Sequence, residues 1–351
     1  MKKNSKAVEQ QPAETIGIDL GDKISRYAIM NRDGVVVEEG AFRNQVESIE
    51  KHFGERGRAR VALEVGTQSA WIARELERLG HEVIVANARE LKWITASDEK
   101  NDRNDARKLA RLARADRNLL HAVQHRSSEQ QAELAVIRAR DAMVRARTLL
   151  VNTARSLAKG FGLRLPLTVT PTFGARAVGN LPEFLQGALR GLLEQIDALG
   201  RQIKEYDQGV GQVAERHPEV ERLASVPGVG TLTAVTFVLT LGRPERFAHS
   251  RDVGSYLGLR PRQKQSGERD PQLGISKGGD KYLRKLLVQC AHHVLGYWGK
   301  DSALRQWGLR KGGGGKSATK RAIVAVARKL AVLLHRLWVS GEVFKPFPQI
   351  G

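Results

Sequence analysis

The sequence predicts an α/β domain followed by a mainly α-helical remainder, and three patterns predict it. Up to Asn87, short β-rich runs alternate with Asp/Gly turns and amphipathic stretches. The middle of the chain carries apolar residues at spacings of three and four over many helical turns. The last third alternates apolar helical runs with a loop rich in Gly, Arg and Lys. At 351 residues the chain is long enough for two or three domains with cores of their own.

The elements follow in order. The lead-in of residues 1–14 is polar, lacks the apolar stretch of a signal peptide and is expected to be disordered. TIGIDLG, SRYAIMNR and GVVVEEGAF read as three strands joined at Gly21-Asp22 and Asp33-Gly34, the latter a hairpin signal. A helix is expected over about 45–56, then RVALEVG as a buried strand, SAWIARELERLG as a helix ending at Gly80, and HEVIVAN as a strand. With a helix through KNDRNDARKLA, the order is β-β-β-α-β-α-β-α, that of a ribonuclease-H-like domain over residues 15–125.

Residues 126–217 are expected to form a helical hairpin. Val136, Met143, Leu150 and Leu157 recur every seven residues. After a Pro/Gly-rich break, Leu185, Leu189, Leu192, Ile196, Leu199, Ile203, Tyr206, Val210 and Val213 alternate spacings of four and three. So narrow a stripe suits an oligomeric coiled-coil seam better than a globular core. Residues 218–351 open with SVPGVGTLTAVTFVLTLG, a glycine hairpin before an apolar helix. They continue through a basic loop (258–281) and close with KYLRKLLVQCAHHVLGYW and KRAIVAVARKLAVLLHRLW.

Charge points to a polyanionic partner. The net charge is +20, and Leu241 to Gly351 holds 22 Lys and Arg against 7 Asp and Glu, so +15 of it lies there. Such a field attracts phosphate backbones. No apolar run approaches the ~20 residues that span a bilayer. The lone Cys290 excludes an intramolecular disulfide framework and a cysteine zinc cluster, and suits a reducing cytoplasm.

Four acids stand where acids are costly or clustered. Asp19 ends the apolar run Ile16–Leu20, and Glu64 holds the equivalent place in Val61–Val65. Asp102 and Asp105 are three apart and share a helix face. Gathered together, four carboxylates suit one or two Mg²⁺ ions, which can clamp the attacking and leaving oxygens of a phosphodiester. Asp102 and Asp105 read equally as first-turn helix acids. Gly228 and Gly230 resemble the hairpin of helix-hairpin-helix modules, where backbone N–H groups meet phosphate, or are a turn capping a helix. Arg260, Arg262, Lys264, Lys277, Lys281 and Arg284 are the basic residues in and after the loop that would contact nucleic acid. From the residues alone, Ser276 reads as an N-cap or phosphate contact rather than a nucleophile. Gly312–Gly315 with Lys316 and Ser317 falls short of a P-loop and reads as a hinge; His292, His293 and Cys290 read as packing or solvent-facing residues.

GIDLG, ALEVGTQS and the KNDRNDARKLA acids, followed by SVPGVG and GISKGGDKYLRKLL, resemble the DEDD-type insertion-sequence transposases. These pair a RuvC-like domain with a serine-bearing transposase domain and are guided by a bridge RNA. The resemblance spans nearly the whole chain in order. It implies that Asp19, Glu64, Asp102 and Asp105 bind metal, and that Ser276 is the nucleophile of a transient phosphoserine link to DNA. It also implies a bacterial, nucleoid-associated protein with donor and target DNA and a structured guide RNA as partners. The subunits would form dimers assembling to a tetramer, with domains of different subunits completing each site. Three other readings compete: a Holliday-junction resolvase-like nuclease using water, an actin-like ATPase opening on GIDLG, and a non-catalytic nucleic-acid scaffold.

Overall fold

In the computed structural model, the described residues are 12–87, 102–165, 173, 177, 181–263, 271 and 273–347. Most of the 1–14 lead-in, Lys264, the side chain of Asp102 and most of the break after Leu165 lie outside them. The chain divides into two compact units, residues 1–126 and 127–351.

In the first unit, β1 (Thr15–Asp19), β2 (Ile24–Met30) and β3 (Val36–Arg43) form an antiparallel meander. The β2–β3 turn is closed by the Asn31 side chain, whose Oδ1 accepts the Asp33 and Val35 N–H groups at 3.0 Å each, with Gly34 at φ +80°. After α1 (Val46–Phe53), β4 (Arg60–Glu64) lies parallel to β1. After α2 (Ser69–Arg78), β5 (Glu82–Ala86) lies parallel to β4, giving the order β3-β2-β1-β4-β5. The last helix of this unit is α3 (Asp102–Ala115).

Period-two alternation sorts these strands into two faces. Ile16, Ile18, Val61 and Leu63 are fully buried in a core with Ile49 and Phe53 of α1 and Ile72 and Leu76 of α2. The opposite face offers Ala62, Ile84 and Ala86 to Leu109 and Ala113 of α3. The expected mixed α/β architecture is therefore present as a three-layer stack, and this second face is the one that carries the acids.

The second unit begins with a long antiparallel helical hairpin. In it, α4 (Ser128–Lys159) and α5 (Glu183–Glu215) pair Arg140 with Asp207 at 2.5 Å, and Glu133 of α4 pairs at 2.8 Å with Arg216, the residue that caps α5. The seven-residue stripe of α4 is not its buried face. Ile137, Val151, Ala154 and Ala158 are buried, whereas Val136, Met143 and Leu150 are half-buried and Leu157 is exposed. In α5, Leu193 is buried and Leu192 only partly, while Leu185, Leu189, Ile196, Ile203, Val210 and Val213 are buried as the spacing requires. Small Ala154 and Ala158 let α5 approach closely one position away from the larger leucines.

The hairpin base merges with the following domain. Ile137, Val210 and Val213 share a core with Val235, Phe237 and Leu239 of α7 (Thr231–Leu241), buried from Thr233 to its end, which follows α6 (Glu219–Ala224). The same core takes in α8 (Asp252–Tyr256), α9 (Lys281–Leu295) and α11 (Lys316–Ser340). Between α9 and α11, α10 (Ala303–Gly312) is a helix the apolar pattern does not announce. Cys290 is buried, and His292 and His293 are exposed. Among the described residues no helix is long and apolar enough to cross a membrane.

Candidate active site

Asp19 and Glu64 close the adjacent parallel strands β1 and β4, which are in register through Ile18 and Leu63. Neighbouring strands lie about 4.8 Å apart, so the two acids stand side by side at the carboxyl edge of the sheet. By alternation they share a face with Gly17 and Ala62. Gly17 is the reason α3 can lie there. A Cβ on it would sit 2.0 Å from the Ala106 carbonyl oxygen and 2.5 Å from the Ala110 nitrogen. The helix backbone rests directly on β1, and Asp105 is the residue preceding that contact.

Side chains outside the four acids fix this geometry. Asn44 Nδ2 donates to the Gly21 carbonyl at 2.9 Å, and Gln68 Nε2 donates to the Gly21 and Asp22 carbonyls, holding the loop after Asp19. Ser69 Oγ donates to the Gly66 carbonyl at 2.7 Å and accepts its N–H at 3.0 Å, closing the turn after Glu64. Glu39 on β3 accepts from Arg107 of α3, with Arg103 3.8 Å away. The Arg107 hydrogen bond holds the Glu39 carboxyl below its ordinary value. Asp105 is 3.3 Å from Lys108 Nζ. Sequence patterns pick out none of Asn44, Gln68, Glu39 or Arg107, because each acts across the fold on a partner far away in the chain.

Asp102 opens α3, and its side chain lies outside the described residues. Among the described residues, no three His, Cys, Asp or Glu form a ready metal cage. The donor chemistry nonetheless suits a hard cation: Asp19, Glu64 and Asp105 are carboxylates carried on the sheet face and helix that pack together.

Ser276 belongs to the second unit and is exposed. Its segment is bridged to the chain just before the basic loop. Pro261 pairs with Ile275, the Ser276 N–H donates to the Arg260 carbonyl at 2.9 Å, and the Lys277 N–H donates to the Gly258 carbonyl at 3.0 Å. The two segments then cross at van der Waals limits. A Cβ on Gly258 would be 2.3 Å from Gly278 N, and one on Gly279 would be 2.0 Å from the Tyr256 carbonyl oxygen. Both glycines have positive φ, as does Lys277 at +58°, a conformation that costs a side chain about 1 kcal/mol. Arg284 secures the crossing, its Nη1 donating to the Leu257 carbonyl at 2.9 Å and the Gly278 carbonyl at 2.5 Å.

The N-cap of α9 is Asp280, whose Oδ1 accepts the Leu283 N–H at 2.7 Å; Ser276 lies outside the cap. Asp280 is also ion-paired with Arg138. Arg260, Arg262, Lys277 and Lys281 are exposed around this loop, and Arg260 Nη2 donates to Gln263 Oε1 at 2.9 Å. Gly228, at φ +86°, packs against Cys290, His293 and Val294 of α9, while Gly230 is exposed and caps α7. Gly228 is thus favoured as glycine by its positive φ and by close packing on α9, whatever else the hairpin does.

Two family models match the chain. One, described as a transposase of the IS116/IS110/IS902 family, covers residues 220–306; the other, the DEDD transposase model of the IS110 type, covers 16–162. The chain is 32% identical over 288 residues to the transposase for insertion sequence element IS1328 of Yersinia enterocolitica, spanning 81% of this chain and 85% of that one. It is 33% identical over 264 residues to the transposase for insertion sequence element IS1111A of Coxiella burnetii, spanning 70% and 68%. It is 29% identical over 342 residues to a probable family 20 transposase of Pseudomonas aeruginosa, spanning 94% and 98%.

Proposed function

The chain belongs to the IS116/IS110/IS902 transposase family, and from that premise we propose that it joins DNA strands through Ser276, with a Mg²⁺ site formed by Asp19, Glu64, Asp102 and Asp105. The observation that carries the reading is the placement of Asp19 and Glu64 at one sheet edge, on the face that receives the helix bearing Asp105. Mg²⁺, when bound, supplies positive charge against the phosphodiester undergoing substitution.

The chain's residues divide the work. The Ser276 Oγ–P bond forms as the P–O bond to one strand breaks, and the hydroxyl proton ends on the departing oxygen. The phosphoserine link preserves the bond energy for a second strand, whose hydroxyl reverses the step. A clamped, exposed loop suits this task, because a nucleophile held in one geometry avoids much of the entropic cost of attack. Lys277, Lys281, Arg260 and Arg262 would hold phosphates nearby, and Lys264 would join them. The exposed Gly230 at the start of α7 would offer backbone N–H groups to another phosphate, with Gly228 shaping the turn.

Recognition of donor and target DNA would be delegated to a structured guide RNA. Association would use the hairpin, where Leu149 and Leu157 are exposed and Val136, Met143 and Leu150 are half-buried. The resulting dimers would assemble to tetramers in which the acids of one subunit serve the serine of another.

The test is adduct trapping. Wild type with Mg²⁺ and element-end DNA should yield a covalent protein–DNA species, and Ser276→Ala should yield none while still binding DNA. Asp19→Asn or Glu64→Gln should lose the adduct as well. Full strand exchange by Ser276→Ala would refute the serine route, and cleavage by wild type without an adduct would favour hydrolysis by water.

A further inference from the structure

Beyond α9 the chain makes a tight turn through Gly296, Tyr297, Trp298 and Gly299 that displays two aromatic side chains to solvent. Tyr297 is 88% exposed and Trp298 80%, more than any other large apolar side chain among the described residues. Their ring centroids are 5.0 Å apart with the planes at 90°, an edge-to-face pair that leaves ring faces open.

The turn is built, not loose. Arg305 Nη1 donates to the Val294 carbonyl at 2.5 Å and the Gly296 carbonyl at 2.7 Å. The Gly296 N–H donates to the His293 carbonyl, and the Gly299 N–H to the Gly296 carbonyl, each at 3.2 Å. Gly299 is fixed as glycine, since a Cβ there would lie 2.2 Å from both Arg305 Nη1 and the Val294 carbonyl oxygen. A side-chain guanidinium thus locks a turn whose main product is the display of two rings.

The surroundings indicate what the rings meet. The Gly228 hairpin, proposed above to help hold a phosphate, packs on His293 and Val294, so it and the ring pair occupy the same end of α9. Lys300 and Asp301, both exposed, follow the rings in the chain, and this third of the chain carries +15. A planar, anion-linked ligand fits both features, whereas an apolar protein surface answers only the first.

We propose that Tyr297 and Trp298 form a stacking platform for unpaired DNA bases, the kind exposed when strands separate for exchange. This rests on the reading of the protein as one that joins DNA strands. Stacking on aromatic side chains is indifferent to base identity, which suits a protein that meets varied sequences.

The experiment measures fluorescence anisotropy of the full-length chain with four probes: a single-stranded oligodeoxynucleotide, its duplex, the same strand bearing abasic sites, and its RNA counterpart. Removing each ring, by Tyr297→Ala or Trp298→Ala, should weaken single-strand binding about fivefold to a hundredfold. Duplex binding and the salt dependence of both should stay unchanged, because no phosphate contact is lost. Tyr297→Phe should retain affinity, and the abasic strand, which loses stacking on both rings, should bind wild type at least as weakly as either variant binds the intact strand. Three results would overturn the proposal. They are equal losses on duplex and single strand, a loss confined to the RNA probe, and unchanged DNA binding with an altered oligomeric mass, which would mark a face for another copy. Failure of the wild type to bind duplex would remove the reading beneath it, and the proposal too.

Discussion

Replacing Gly17 by alanine adds one methyl group at the point where α3 rests on β1. The new carbon would lie 2.0 Å from the Ala106 carbonyl oxygen and 2.5 Å from the Ala110 nitrogen. Both are backbone atoms of a helix whose neighbours Leu109 and Ala113 are fully buried, so no side-chain rotation relieves the clash. Reaching even a 3.0 Å contact requires α3 to withdraw by at least about 1 Å. Overpacking of this kind costs about 1–3 kcal/mol. For a unit of this size each kcal/mol lowers the melting temperature by about 3–6 °C. The same movement carries Asp105 away from Asp19 and Glu64, and an ångström of misplacement is worth about a hundredfold in rate. Calorimetry and the covalent-adduct assay together read both effects. Gly57→Ala, where an added Cβ meets nothing within 4 Å, is the control. A Gly17→Ala protein that melts with wild type and forms adduct at the wild-type rate would refute the account of how α3 is seated.

Three further outcomes follow from the contacts. Arg284→Ala should leave the Leu257 and Gly278 carbonyls without their donor, destabilise the second unit by about 1–3 kcal/mol, and slow adduct formation more than it weakens DNA binding; chemical denaturation and anisotropy separate these. Tyr27, buried and hydrogen-bonded to Glu38 at 2.7 Å, has its hydroxyl pKa pushed from 10.0 up to about 12 by burial first and by Glu38 second. The raised value means that its stabilisation is complete below pH 10 and lost as pH climbs towards 12. Tyr27→Phe should therefore remove roughly 2–3 kcal/mol of alkaline pH dependence, read by denaturation at pH 9 and above. Lys277→Gly should relieve the positive φ and Lys277→Ala should not, although both delete the charge. If Lys277 serves DNA by its charge, the two variants lose binding equally while Lys277→Gly is the more stable by several tenths of a kcal/mol.

Local patterns carried the first unit well. Ile16, Ile18, Val61 and Leu63 alternate with Gly17, Asp19, Ala62 and Glu64, and that alternation sets both the core face and the acid face. The hairpin was harder. A seven-residue period identifies a stripe, but the partner's close approach at Ala154 and Ala158 rotated the buried face by about one residue. Residues that lock the candidate site were invisible for another reason. Asn44 reaches Gly21, and Glu39 reaches Arg107, across separations that no window of sequence joins. Ser276 as an N-cap was a local expectation that lost to Asp280, whose spacing to Leu283 is that of an N-cap to its third residue. Helix α10 escaped because its sequence, ALRQWGLRKG, has little apolar periodicity; it is anchored by Ser302 at its N-cap, by Trp307 against the core and by Lys329 over the Trp307 ring.

The two candidate halves solve the same physical problem in the same way. At β1, the absence of a side chain on Gly17 lets a helix backbone touch a strand, and Asp105 takes its position relative to Asp19 and Glu64 from that contact. At the serine loop, Gly258 and Gly279 let two backbone segments cross, and Ser276 takes its position from that crossing. In both places a charged pair or guanidinium then fixes the arrangement: Glu39 with Arg107 in one, Arg284 on two carbonyls in the other. Backbone-to-backbone contact is stiffer than side-chain packing, because it has no rotamers to yield. If the proposed reaction holds, each part that positions a reacting group needs that stiffness. Substitutions at Gly17, Gly258 and Gly279 should therefore harm strand joining out of proportion to the size of the group added, while the exposed lysines around Ser276 tolerate change with graded losses in binding.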